Sequence, residues 1–190
     1  MIETKRVTVP ESYQDVSVRQ YKNMLSVVEK DVTEKEMSLL IVSVLCDIDR
    51  KDLDRADWAD VHKVMERVSW LTEEPDTTLD KNPLIREFTL KGIDYGFIPN
   101  WNKLTLGEFS DLETYTGLGA YDNLESILSV LYRPIVKKSI DSYTLEPYNP
   151  NYEKKQTMLE CKMDVAVSAL VFFYRIGKEL TKGLQPSLKV

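Results

Sequence analysis

Apolar positions along this chain change period several times, and the changes mark out the expected elements. Tyr21, Met24, Leu25 and Val28 recur at helical spacing on one side of a first helix opened by Ser17. A second, more apolar helix opens at Thr33 and runs through residues 37–46, apolar enough to be largely buried. Trp58, Val61, Met65, Val68 and Leu71 form the stripe of a third, amphipathic helix, which Glu74-Pro75-Asp76 ends. Between residues 85 and 98 the period becomes two. Phe88 and Leu90 alternate, as do Ile93, Tyr95 and Phe97, with Gly92 between the runs, and this predicts two strands of a hairpin or bent ribbon. Residues 2–9 are rich in β-branched side chains and are expected to add a strand.

Helical spacing then returns. Thr105 opens a helix that ends near Gly117-Leu118-Gly119. Asp122 opens another, carrying Leu124, Ile127, Leu128, Leu131 and Tyr132 until Pro134 stops it. Residues 142–147 read as a short extended segment. A long final helix is expected over residues 151–182. Leu159, Met163, Ala166, Leu170, Phe173, Gly177 and Leu180 make one stripe on it, and Val165, Phe172 and Ile176 make a second on another face. A helix apolar on two faces is either central to its own core or buried between that core and a partner. Val165, Phe172 and Ile176 are therefore candidate interface residues. Arg175, Lys178 and Lys182 suit the negative end of its dipole. The expected fold class is α+β, mainly helical, with a small antiparallel sheet and a long C-terminal helix in a single domain over residues 1–190.

One phrase occurs twice. Val9-Pro10-Glu11-Ser12-Tyr13-Gln14-Asp15-Val16-Ser17-Val18-Arg19-Gln20-Tyr21 is matched, with one residue of slack, by Ile98-Pro99-Asn100-Trp101-Asn102-Lys103-Leu104-Thr105-Leu106-Gly107-Glu108-Phe109. Ser17 with Gln20, and Thr105 with Glu108, have the spacing of capping boxes, and Val16/Tyr21 and Leu104/Phe109 that of hydrophobic staples. Thr33 with Glu36, stapled by Val32 and Met37, and Asp122 with Glu125 are further boxes of the same kind. Caps are folding devices of about 1 kcal/mol each. Repetition of the whole phrase reads as an internal pseudo-repeat over residues 9–29 and 98–117, from an old duplication or from convergence.

Charge adds a second asymmetry. Of the net −6, all falls within residues 47–80, which hold 11 acidic and 5 basic side chains, while the rest of the chain is balanced. A nucleic-acid groove wants a basic stripe, so no nucleic acid is expected. The acidic region is either a solvated helix face or a docking surface for a basic partner, with Asp52, Asp57 and Asp60 as its candidate contacts. Cys46 and Cys161 lie in apolar helical contexts and are expected as buried free thiols, although a disulfide between them stays open. Residues 1–6 lack the apolar run of a signal peptide. The most apolar run, residues 165–174, is far shorter than the roughly 20 residues a membrane span requires.

Catalytic equipment is sparse. His62, the one histidine, sits in the acidic helix, where a solvated position is expected rather than general-base work. Asp47 to Asp54 superficially suggests a calcium loop, but Asp52 stands where glycine is needed and Trp58 where a bidentate Glu belongs. Gly117-Leu118-Gly119 has no matching glycine or lysine for a phosphate loop. No cofactor and no enzymatic activity are expected. Tyr132-Arg133-Pro134 is different in kind: Arg133 is either an anchored, oriented charge offered to a partner or an exposed helix-end cation.

Several segments together resemble a known family. They are Ile98 to Glu113, Ile127-Leu128-Ser129-Val130-Leu131-Tyr132-Arg133-Pro134, Glu146-Pro147-Tyr148, and Ala169-Leu170-Val171-Phe172-Phe173. In these the chain is similar to small proteins encoded among the structural and tail genes of tailed bacteriophages of Bacteroidota hosts, including crAss-like phages. The resemblance covers most of the chain and is strongest from residue 98 to 173. It implies a setting, and it implies no catalytic residues. The expectation is a non-enzymatic virion-associated protein, either a tail or portal-region component or packaged cargo. Its partners would be other phage structural proteins or a second copy of itself. A tail-assembly chaperone that leaves the finished particle, working in the host cytoplasm, and an acidic host-directed regulatory binder are the alternatives.

Overall fold

The computed structural model describes residues 7–73, 81–100, 104–140 and 142–184, with side chains described as far as Arg175. Its contacts divide the chain into two compact units, Met1–Pro75 and Asp76–Val190. The fold is α+β and mainly helical, with one four-stranded antiparallel sheet.

The first unit is helical throughout its described elements. Helix α1 (Val18–Val28) turns Val18, Tyr21, Met24 and Val27 inward. Val27 therefore takes the place expected for Val28, which is exposed. Helix α2 (Glu34–Cys46) ends where Asp47 adopts the left-handed conformation, φ 51°. Short α3 (Arg50–Leu53) and α4 (Trp58–Val68) close the unit, and α4 continues as a 3-10 turn over Ser69–Thr72. Leu39, Val42, Ile48, Leu53 and Val61 form a shared core cluster, with Cys46, Val64 and Met65 packed on it. Val7–Val9 form no strand, and residues 2–6 of that expected strand lie outside the described residues.

The second unit builds its sheet in the order β1-β2-β3-β4 from β1 (Glu87–Leu90), β2 (Ile93–Phe97), β3 (Tyr132–Lys138) and β4 (Tyr143–Leu145). Lys91 and Gly92, both at positive φ, make the tight β1–β2 turn, and Phe88 pairs with Tyr95. Such two-residue hairpin loops favour positive φ because it matches the strand twist. Helix α5 (Leu106–Gly117) precedes α6 (Leu124–Leu131), and α6 passes into β3 without a loop. Pro134 disfavours helical geometry at Arg133 before it, so the helix ends at Leu131 and the next residues pair with β2. The register sets Phe97 against Tyr132 and Gly96 against Arg133. Gly96 lies under the Tyr143 ring, where an added Cβ would come to 2.6 Å of a ring carbon. The Tyr143 hydroxyl donates to the Phe97 carbonyl at 2.6 Å.

In place of one helix over residues 151–182 there are two, α7 (Tyr152–Met158) and α8 (Met163–Leu184). Met158, Leu159, Cys161 and Met163 are all buried. A straight helix would scatter these four around its circumference, and the turn between α7 and α8 carries them all inward. Along α8, Met163 and every residue from Val165 to Val171 are buried. This stretch is therefore the middle of the unit's own core. Phe97 packs edge-on against Tyr132 at 5.2 Å and against Phe172 at 5.3 Å. Just before β1 the Ile85 amide donates to Ser168 Oγ, and the Ile85 carbonyl accepts from Tyr132 Oη.

Candidate functional site

Helix α5 carries the densest polar arrangement, because Glu108, Asp111, Leu112 and Tyr115 share one face at steps of three and four. Thr105 opens the helix: its hydroxyl accepts from the Glu108 amide at 3.2 Å, and its own amide donates to Glu108 Oε2 at 2.7 Å. The reciprocal box folds the Glu108 carboxylate back over the helix start and into the protein, where Glu108 is only 3% exposed. A buried carboxylate needs a cation. Strand β3 supplies Arg133, whose guanidinium lies 2.9 Å from Glu108 Oε1 with its side chain 14% exposed. Arg133 Nε is buried with no acceptor among the described residues.

Further pairs continue along the same helix face. Asp111 accepts from the Tyr148 hydroxyl. Burial, and then the Asp111 carboxylate beside it, push the Tyr148 phenol well above its ordinary range. Lys155 Nζ donates to Tyr115 Oη at 2.7 Å and lies 4.3 Å from the ring centroid. Lys154 pairs with Glu146 at 3.1 Å. The partners of α5 come from β3, the 146–148 segment and α7, so the belt fastens the helix to three other parts of the unit.

The first unit repeats the device with other chemistry. Gln20 donates its amide N–H to Ser17 Oγ at 3.2 Å, and Gln20 Oε1 accepts from the Ser17 amide at 2.9 Å. Gln20 Nε2 also donates to the Leu45 carbonyl of α2 at 3.2 Å. The Thr33 box is only half formed. Thr33 accepts from the Glu36 amide, but the Glu36 carboxylate turns away to Arg50 with contacts of 2.5 and 2.9 Å. That hydrogen-bonded guanidinium holds the Glu36 carboxyl below its ordinary value. Arg50 Nε reaches Asp54 at 2.8 Å.

Several expectations need correcting. Asp122 does not cap α6, whose N-cap is Asn123 with no side-chain cap bond, so the Asp122–Glu125 spacing forms no box. Instead Asn123 Nδ2 donates to the Gly119 carbonyl at 2.9 Å. Val165, 5% exposed, belongs to the core, and Phe172, half-buried, packs edge-on against Phe97. The side chain of Ile176 lies outside the described residues, as do Trp101 and the side chains of Lys178 and Lys182. Arg133 is an anchored charge, but it is spent on Glu108. In the acidic region Asp57 caps α4 through the Ala59 amide and Asp60 pairs with Lys63, while Asp52 is exposed. The staple expected at Leu104 and Phe109 is loose, since Phe109 is 50% exposed.

His62 is solvent-exposed, with Glu66 of its own helix at 3.6 Å. Both cysteines are free, and burial pushes the Cys46 thiol up to about 11 and the Cys161 thiol up to about 12. No group of three or more metal-ligating side chains occurs among the described residues. Nor is any helix among them long and apolar enough to cross a membrane. The Asp111–Tyr148 and Tyr115–Lys155 pairs are not apparent in the sequence. A signal was available in the spacing of Asp111 and Tyr115 around Leu112, but their partners lie 37 and 40 residues away along the chain. Comparison of the chain with protein-family models, with curated proteins and with solved structures finds no match.

Proposed function

We propose that this chain is a non-enzymatic, virion-associated protein of a tailed phage that works through contacts with other structural proteins. The phage setting rests on the segments between residues 98 and 173 that resemble proteins of phage structural and tail genes. The mode of action rests on one observation in the second unit. The charged side chains around α5 close on each other as internal links, while large apolar ones stand in solvent at the two ends of the helix: Leu106 is 84% exposed, Phe109 50% and Leu118 68%. Leu106 and Phe109 lie one turn apart at the helix start, and adjoining exposed apolar side chains are characteristic of contact surfaces. Burying the carboxylate of Glu108 against Thr105 and Arg133 commits that group to holding the fold.

Mass spectrometry of gradient-purified particles, with copy number measured against the major capsid protein, tests the proposal. Stoichiometric presence is the expected result. Absence from particles, with the protein abundant in the infected lysate and bound to tail proteins, would overturn it in favour of an assembly chaperone. Association with host factors would overturn it in favour of a regulatory binder.

A further inference from the structure

Helix α5 and its C-cap read alike from both ends. Going outward from buried Leu112, Ser110 answers Thr114, Gly107 answers Gly117 and Leu106 answers Leu118. These six residues share one face at steps of three and four, and all six are exposed. Leu106 and Leu118, at its two ends, are 84% and 68% exposed. The Thr114 hydroxyl donates back to the Ser110 carbonyl at 2.8 Å and is satisfied within the helix. Glu108 and Asp111 turn inward to Arg133 and Tyr148. That leaves Glu113, on one flank, as the charge on the exposed side. The two glycines have no local reason. A helical glycine is less favourable than alanine, and neither Gly107 nor Gly117 has the positive φ found at Gly119. An added Cβ at either would meet no atom within 4 Å. The chain's own packing does not call for them, whereas close approach of a second backbone does.

We propose that this face of α5 docks on the same face of a second copy, the two helices antiparallel about a twofold axis beside Leu112. A twofold contact is isologous, so each residue pair recurs reciprocally across it. Leu106 meets Leu118 of the second copy at both ends, Gly107 passes Gly117, and Ser110 passes Thr114. The glycines let the helices approach closely, since the side chains at the contact set the distance between axes. A face this nearly neutral meets its own copy with little like-charge repulsion. Twelve helical residues span about 18 Å, so the contact is small and the dimer weak and concentration-dependent. The inference rests on reading the exposed ends of α5 as a contact surface, and it names the occupant.

Sedimentation equilibrium of the purified full chain, from about 10 μM to about 1 mM, is the test. A reversible dimer is expected. Gly107→Ala combined with Gly117→Ala should weaken it about tenfold or more, while the melting temperature of the dilute monomer holds or rises. Leu106→Lys and Leu118→Glu should each abolish it. The two together should restore much of it, because the antiparallel register sets each introduced ammonium against an introduced carboxylate. A chain that stays monomeric throughout would overturn the proposal. So would a dimer indifferent to the glycine pair, which would place the contact elsewhere. A double charge variant no tighter than the single ones would overturn the antiparallel register and the proposal with it. Failure of the broader reading would show separately, as absence of the chain from purified particles while the α5 dimer persists.

Discussion

The two capped helix starts, Ser17 with Gln20 and Thr105 with Glu108, begin from the same local rule and end in different energetics. In each, the third helical residue caps its own helix and then reaches a neighbouring element. Gln20 does so with a neutral amide, half-buried, that donates to the Leu45 carbonyl. Glu108 does so with a buried charge that requires Arg133. The apolar grips differ in the opposite sense. Val16 and Tyr21 close the first staple completely, whereas Phe109 leaves the second half open. Where the apolar staple is tight, a neutral link suffices. Where it is loose, an ion pair fixes the start of the helix. A neutral link that is lost leaves one unsatisfied group, but a lost ion-pair partner leaves a charge stranded.

The largest effect expected from breaking the comparison comes from the centre of the second unit. Phe172→Glu would place a carboxylate against the Phe97 ring, and the second unit's tertiary signals should be lost, as near-UV circular dichroism and NMR dispersion would show. A folded variant that merely dissociates would return that face to a partner. Next, Arg133→Met should cost about 3–5 kcal/mol in urea unfolding, because Glu108 is left buried and unpaired. Its counterpart Gln20→Leu should cost only about 1–2 kcal/mol. Equal costs would erase the distinction between the two helix starts.

Smaller still, Ser17→Ala should cost about 1 kcal/mol. Thr105→Ala should cost more, since the Thr105 hydroxyl donates to a buried carboxylate at 2.8 Å where the Ser17 hydroxyl donates to the neutral Gln20 Oε1 at 3.0 Å. The thiols give the mildest contrast. Both pKa values are raised by burial from 9.0, to about 11 for Cys46 and about 12 for Cys161. The raised folded values mean their contribution to stability is complete below pH 9.0 and fades as the pH climbs toward those values. At pH 8, half-buried Cys46 should react with a thiol reagent faster than buried Cys161, and in urea the two should react alike.

Local rules made much of this fold readable. The Ser17 and Thr105 boxes follow from four adjacent positions, and the β1–β2 hairpin follows from alternation around Gly92. The unreadable parts depend on contacts distant in sequence. Tyr132-Arg133-Pro134 looks like a helix end, and it becomes a strand because β2 offers Tyr95 to Phe97 for pairing. Val165 and Phe172 are apolar whichever surface covers them, and only the approach of β2 sets Phe97 against Phe172. In sequence Arg133 stood open between an anchored charge and an exposed helix-end cation, and the structure anchors it. Its anchor, Glu108, was legible only as a cap, because a carboxylate in a capping box gives no sign in sequence that it is also buried.

The sharpest single measurement is a double-mutant cycle of Glu108→Gln with Arg133→Met, read by urea unfolding. Glu108→Gln keeps the capping geometry that Gln20 shows in the first unit and removes only the charge. Strong coupling is expected. Arg133→Met alone should be the most damaging, and adding Glu108→Gln should restore about 2 kcal/mol or more by removing the stranded carboxylate. Additive losses, within about 0.5 kcal/mol, would contradict the ion-pair reading and reduce Glu108 and Arg133 to neighbours that merely stand close.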